Sequence, residues 1–295
     1  FFRLGDFYEM FFEDAEVVSH ELELTLTGKN AGLEDRIPMC GIPHHALSIY
    51  LNKLIDLGYK VAICEQVEDP KDAKGVVKRE VLQIVSKGTL MNGESLDEKS
   101  NNYIGAIINY IHCYVMSYTD ISTGDFYSTI IPNNDTEIIT EILSTGVNEI
   151  IVNNEFDKNI VEILRSKHKI NVSIYDVIND LKEYSNLYDE INDIRHKETI
   201  KYLLSYLNDT QKRSLIHLQK VKIINRSSYL KMDIHTKRNL ELTENLRLKS
   251  RNFSLLWLLD KTKTAMGSRL LKSWIESPIL NKEEINKRYD IVENL

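Results

Sequence analysis

Gly5-Asp6-Phe7-Tyr8-Glu9-Met10-Phe11-Phe12-Glu13-Asp14-Ala15 governs how the rest of the chain is read. After Arg3-Leu4, Gly5-Asp6 joins a turn former to an N-cap residue, so a helix is expected to follow. Tyr8, Phe11, Phe12 and Ala15 recur at helical spacing and form the expected buried stripe. Phe7 falls on another stripe (7, 11, 14, 18) that soon meets Asp14, and is therefore poorly placed as core. Phe7 and Glu9 are expected at a strand-to-helix corner, pointing away from the core.

Outward from this stretch, residues 1–98 read as a compact α/β domain. Leu22, Leu24 and Leu26 alternate with Glu21, Glu23, Thr25 and Thr27, which predicts a strand. His45 to Leu57 reads as an amphipathic helix on Leu51, Leu54 and Ile55, with Gly58 just past its end. Val61–Cys64 and Val81–Val85 read as further strands. A polar, turn-rich stretch, including Asn92-Gly93 and Asp97-Glu98-Lys99, marks a boundary. The block 102–225 opens with strand-like runs at Tyr103–Tyr110, Cys113–Asp120 and Asp125–Ile130. Short strands at Glu149–Val152 and Asn171–Ile174 then alternate with helices, and His196–Leu207 is helical. Three strands followed by alternating helices and strands predict an RNase H-like α/β topology. From 229 to 295 the pattern turns wholly helical: His235–Glu244, Leu255–Leu259, Met266–Ile275 and Lys282–Leu295, with Pro278 separating the last two. The fold class is thus multidomain α/β plus all-α.

The chain has 295 residues and a net charge of −7, which argues against a uniformly basic nucleic-acid binder. The charge is uneven. Residues 1–98 carry 10 cations against 18 anions, whereas residues 226–295 carry 14 against 9. A basic C-terminal segment suits phosphates, while the acidic first block needs locally placed cations. Cys40, Cys64 and Cys113 are widely spaced and odd in number, which predicts buried reduced thiols and no zinc site. No run reaches the roughly 18 apolar residues of a membrane span. A start without Met, on what reads as a strand, and an end inside a helical pattern suggest a fragment.

Gly5–Phe11 resembles the Phe-x-Glu motif of the MutS family of DNA mismatch-repair proteins. Collinear with that family are also Ile37-Pro38-Met39-Cys40-Gly41-Ile42-Pro43-His44-His45, Val61–Gln66 and Val85-Ser86-Lys87-Gly88-Thr89. Further on come Asp120-Ile121-Ser122-Thr123-Gly124-Asp125-Phe126, Arg238-Asn239-Leu240-Glu241-Leu242 and Met266–Trp274. The resemblance implies a mismatch-binding domain with a mixed sheet, a connector and the start of a helical core or lever domain. It implies mismatched double-stranded DNA as ligand, a homodimer and a MutL-type partner for the full-length protein, and a cytoplasmic, nucleoid-associated location. Phe7 and Glu9 are the implied mismatch readers. A family relative devoted to recombination typically lacks the first domain, so its presence favours repair. ATP and Mg²⁺ are implied for the full-length protein only. The chain carries no G-x-x-x-x-G-K-[ST], since Gly28-Lys29-Asn30 lacks the upstream glycine and the hydroxyl.

The chemistry fits those roles. An aromatic wedge in the minor groove must offset an unstacking cost of a few kcal/mol per step, less where pairing is faulty. Stacking a base on an aromatic ring contributes about 1–3 kcal/mol, so the terms are comparable and a defect tips the balance. Glu9 facing DNA is repelled as an anion, but a protonated carboxyl donates a hydrogen bond to a purine N7. The structural alternative is a solvated glutamate in a first helical turn.

Lys29 resembles a family position that carries a basic DNA contact, and Met39 a minor-groove contact. Lys78 and Arg79 begin a strand in a locally basic stretch that includes Lys71, Lys74 and Lys87 against Asp72 and Glu80. Phosphate positioning is the expectation there, a solvated charged face the alternative. His44 and His45 are expected to cap the following helix. Two other functions stay open: a protein-docking module, and a metal-dependent nuclease using Asp120 and Asp125.

Overall fold

The computed structural model describes residues 1–30, 32, 35–68, 77–90 and 100–294. The chain forms two compact units: Phe1–Ser95 with Leu204–Ile216, and Leu96–Leu203 with His217–Leu295. The expected linker residues Asn92-Gly93 and Asp97-Glu98-Lys99 lie outside the described residues.

The first unit contains a six-stranded mixed sheet. Its strands are β1 (Phe2–Leu4), β2 (Phe7–Phe11), β3 (Thr27–Lys29), β4 (Ile37–Pro43), β5 (Val61–Gln66) and β6 (Arg79–Val85), in the order β3-β4-β2-β1-β5-β6. Helices α1 (Phe12–Glu21) and α2 (Leu47–Asp56) bury Ala15, Val18, Leu51, Leu54 and Ile55 in one core with Tyr8, Met10, Cys40, Ile42, Val61 and Ile63. Leu204–Ile216 adds to this unit. There Lys60 Nζ donates to Tyr206 Oη at 3.0 Å, and Gln211 Nε2 to the Ile84 carbonyl at 3.2 Å.

The opening stretch departs from its helical reading. Phe7–Phe11 is a strand, and α1 starts only at Phe12. Leu4 pairs with Phe7, so Gly5-Asp6 is a two-residue hairpin loop. Gly5 has φ +58°, the left-handed value that a hairpin with glycine in its first loop position requires. Gly-Asp was therefore a hairpin signal rather than a helix cap. Burial follows period two: Tyr8 and Met10 inward, Phe7, Glu9 and Phe11 on the opposite face. Phe12, expected inside, is exposed. Leu22, Leu24 and Leu26 form no strand; the pairing segment is β3.

The second unit is built on β7 (Tyr103–Asn109), β8 (Cys113–Asp120), β9 (Phe126–Pro132), β10 (Val147–Val152), β11 (Asn171–Ile174) and β12 (Lys222–Ile223). Their order is β11-β10-β7-β8-β9-β12, with β8 antiparallel to both neighbours and β10 parallel to β7 and β11. Counted from β7, the first five strands run 3-2-1-4-5 across the sheet, which is the RNase H-like arrangement. Helices α3 (Asp135–Thr145) and α4 (Lys158–Ser166) are capped by Asn134 and Asp157, whose side chains accept from the first free N–H groups. Gly146, φ +70°, ends α3 in the left-handed conformation that favours glycine. The 18-residue α5 (Ile194–Gln211) follows, its residues from Leu204 onward counted with the first unit.

Short helices α6 (Ile234–Asn239), α7 (Leu255–Leu259), α8 (Ala265–Glu276) and α9 (Lys282–Glu293) complete the unit, each N-capped: Asp233, Ser254, Thr264 and Asn281. α6 is shorter than the expected His235–Glu244. Asp260 holds this region together. It accepts from Arg251 and Ser268 on either side, and from Thr262 N at 3.0 Å. The Ser268 hydroxyl, with the Thr262 and Arg251 bonds, holds its carboxyl far below the usual range. An isolated bridge joins Tyr229 to Ile279.

Candidate nucleic-acid interface

The face of the first sheet opposite its helices gathers most of the expected contact residues. Pairing puts Phe7 beside Pro43, Glu9 beside Gly41, Phe11 beside Met39, and Thr27 beside Met39, with Lys29 beside Ile37. Directly opposed residues share a face of a sheet. Phe7, Glu9, Lys29 and Met39 are therefore co-facial. Phe7 stands at the hairpin tip, 49% exposed, without a place in the core. The tip is tethered: His44 N donates to the Asp6 carbonyl at 2.9 Å. The His44 ring nitrogen Nδ1 also lies 3.3 Å from that carbonyl. Neither His44 nor His45 caps α2 or the preceding turn through its side chain, contrary to expectation. His44 closes the hairpin end instead.

Glu9 is not a free anion. Lys29 Nζ donates to its Oε2 at 2.7 Å, with the carboxylate side chain 18% exposed and the lysine 43%. The same ammonium lies 5.3 Å from the Phe11 ring centre. Phe11 meets Phe2 edge-on at 6.5 Å, and the Arg79 guanidinium covers Phe2 at 5.5 Å. A belt Lys29–Phe11–Phe2–Arg79 thus crosses the sheet from β3 to β6. Attraction between each cation and its ring supports both ends of it. Phe11, expected on the buried stripe with Tyr8, lies on the opposite face because the segment is a strand, and Phe2 was not singled out from the sequence. Reading positions 7, 9 and 11 at period two would have found Phe11.

Arg79 is further fixed by Nε donating to the Arg3 carbonyl and Nη1 to the Val77 carbonyl, both at 2.8 Å. Its Nη2 makes no hydrogen bond among the described residues. Lys78 differs: its ammonium pairs with Glu80 at 2.6 Å, which raises the lysine above and lowers the carboxyl below their ordinary values. Lys71, Asp72 and Lys74 lie outside the described residues. On the buried side, Tyr8 donates to Glu65, and burial with that carboxylate pushes the phenol up to about 12.

The nuclease alternative loses its ligands to local bonding. Asp120 accepts from Asn101 Nδ2 at 3.1 Å, Asn102 N at 3.0 Å, Ser122 N at 2.9 Å and Ser122 Oγ at 2.6 Å. Asp125 accepts from Thr123 Oγ1 at 3.1 Å. These carboxylates staple the turn between β8 and β9, the ordinary work of aspartate in such turns. No group of three or more His, Cys, Asp and Glu suited to a metal occurs among the described residues. Cys40, Cys64 and Cys113 are buried and unpaired. No helix among the described residues is long and apolar enough to cross a membrane.

Three family descriptions match the chain in order: MutS domain I over residues 1–94, MutS domain II over 102–219 and MutS domain III over 235–295. Among curated proteins, the chain is 48% identical over 294 residues to a protein of Bacillus cereus (strain G9842) named DNA mismatch repair protein MutS. It is 47% identical to proteins of the same name from Bacillus mycoides (strain KBAB4) and Bacillus thuringiensis (strain Al Hakam). Each match covers 99% of this chain and 33% of the relative, so the chain spans about a third of their length.

Proposed function

This chain belongs to the MutS family, and from that premise we propose that it recognises mismatched or unpaired bases in double-stranded DNA for mismatch repair. Phe7 inserts from the minor groove and Glu9 hydrogen-bonds the displaced base. Arg79, Lys29 and Met39 make supporting contacts, and Lys78, paired with Glu80, contributes less. The observation that carries this reading is the open sheet face. An exposed phenylalanine stands on a tethered hairpin tip, co-facial with a carboxylate and flanked by cations on aromatic rings. A side chain held by strand pairing loses little freedom on insertion, so more of the stacking gain of about 1–3 kcal/mol is kept as affinity. A sound duplex withholds this gain because its bases remain stacked.

The chain divides, on this reading, into a mismatch-binding domain at 1–98, a connector at 102–225 and the start of a core or lever domain at 229–295. The full-length protein acts as a homodimer, recruits a MutL-type partner and hydrolyses ATP with Mg²⁺. These 295 residues contain no G-x-x-x-x-G-K-[ST] phosphate loop. The test uses the full-length protein on matched and G·T-containing duplexes. Phe7→Ala is expected to abolish the preference for G·T while leaving matched binding and melting temperature unchanged. A preserved preference would sink the assignment.

A further inference from the structure

The Lys29–Glu9 pair implies that one phosphate contact is conditional on finding a defect. Lys29 sits on β3 and Glu9 on β2, with β4 between them. The residue of β4 beside Glu9 is Gly41. A Cβ there would stand 3.3 Å from the Tyr8 carbonyl oxygen and 3.6 Å from Glu9 Cγ. A side chain at this position would therefore press on the backbone of Tyr8 and on the Glu9 side chain. Lys29 is also steadied over Phe11, whereas Arg79 at the other end of the belt has no carboxylate partner among the described residues. One cation of the belt has no anion partner among the described residues, and the other is already spent.

We propose that Glu9 withholds Lys29 from the DNA backbone until a mismatched base engages the carboxyl group. The proposal rests on the reading of Phe7 and Glu9 given above. On a sound duplex no base reaches Glu9, which keeps its lysine, so the duplex gains nothing from Lys29. At a defect, Phe7 enters, and the Glu9 carboxylate leaves Lys29, takes up a proton from solvent and donates it in a hydrogen bond to the base, so its charge no longer holds Lys29. The ammonium then takes a phosphate. Lys29 is a positioning and specificity residue here, because its contact adds affinity only to the defective duplex. The carboxylate contributes twice: it is unfavourable near matched DNA, and it removes a cation that would otherwise favour matched DNA.

The salt dependence of binding counts phosphate contacts, with a slope of about −0.9 per contact on duplex DNA. One contact therefore changes affinity about 3.5-fold between 50 and 200 mM salt. The experiment measures that slope for full-length wild type, Lys29→Met, Glu9→Gln and the double variant, each on matched and G·T duplexes. Lys29→Met should lower the slope by about one on the G·T duplex and leave the matched slope alone. Glu9→Gln should raise the matched slope by about one and tighten matched binding at low salt. Adding Lys29→Met should cancel that rise. Lys29→Arg should restore the G·T slope, and DNA-free melting temperatures should stay close together, which separates this role from a structural one. Equal slope losses on both duplexes for Lys29→Met, or a matched slope indifferent to Glu9→Gln, would overturn the proposal. Neither result touches Phe7: the wider reading fails only if Phe7→Ala keeps its mismatch preference.

Discussion

Strand β8 of the second unit buries all eight of its residues, whereas β2 of the first buries only Tyr8 and Met10 of its five. Both are interior strands of six-stranded sheets. The difference lies in what covers them. In the first unit, α1 and α2 pack on the face that carries Tyr8 and Met10, and the other face is left to Phe7, Glu9 and Phe11. In the second, the side chains of β8 are enclosed on both faces: Met116 and Tyr118 join the apolar core, while Ser117 meets Ser128 and His196 in a buried polar chain. A strand buried on both faces offers no group to a ligand, however well ordered it is. A recognition surface needs rigid backbone on one side and open side chains on the other. The first sheet has this arrangement, and the second does not.

The largest contrast should appear on truncation. Met116→Ala removes a fully buried side chain opposed by Ile107 and Thr129. It should cost about 2–5 kcal/mol of stability, read by denaturant unfolding, and leave the ratio of mismatched to matched affinity unchanged among folded molecules. Phe7→Ala should do the reverse. Its ring leaves no core cavity, so stability should hold, while mismatch preference should fall roughly 5- to 150-fold, the equivalent of about 1–3 kcal/mol. If Phe7→Ala destabilised by as much as Met116→Ala, the contrast between open and closed sheet faces would collapse.

The second sheet was far more legible in the sequence than the first hairpin. Cys113–Asp120 and Asn171–Ile174 are strands with the bounds that composition alone suggested, because runs closed by polar turns leave little choice. The same holds for Leu255–Leu259. Residues 7–11 fit two patterns at once, because the apolar residues Tyr8, Phe11, Phe12 and Ala15 satisfy a helical period as well as Tyr8 and Met10 satisfy a strand's. Pairing with β1 and β4 decides between them, and neither partner is local information. The inward Tyr8 and outward Phe7 were anticipated on helical geometry and are realised through strand alternation. The Glu9–Lys29 pair could not be read at all, since it joins residues 20 apart across an intervening strand.

Acid should distinguish the buried polar chain from the open face at an intermediate scale. His196 accepts or donates at Nδ1 to Ser128 Oγ at 2.7 Å, and burial lowers its affinity for a proton, opposed by Asp193 and reinforced by Arg195. A histidine with a lowered folded value binds a proton more readily when unfolded. Stability is therefore full above the unfolded value of about 6.5 and falls as pH drops below it, until the folded value is reached, by at most about 1.4 kcal/mol per pH unit. Asp260 behaves in a lower window: its folded value is depressed, so its contribution is lost only below about pH 3.9. Unfolding monitored between pH 7 and 5 should show the first loss, and His196→Gln should flatten it. A slope that survives His196→Gln would assign the effect elsewhere.

The smallest effect separates Arg79 from Lys78, neighbours in sequence with different commitments. Arg79 is held over Phe2 and by two backbone carbonyls, which fix its guanidinium without neutralising it. A positive group presented this way should contact a phosphate on any duplex. Arg79→Gln should therefore lower the salt slope by about one on matched and G·T DNA alike, a change of about 3.5-fold between 50 and 200 mM salt. Lys78 is already paired with Glu80, so moving it to a phosphate exchanges one anion for another. Lys78→Gln should change the slope by much less than one, and Glu80→Gln should raise it by releasing the lysine. Both arginine and lysine could lose stacking or packing on substitution, but only a lost phosphate contact alters the slope, which is why the slope rather than affinity at one salt concentration is the quantity to compare. Equal slope losses for Arg79→Gln and Lys78→Gln would mean that the Glu80 pair dissolves on DNA, and that ion pairing in the free protein does not decide which cations reach the backbone.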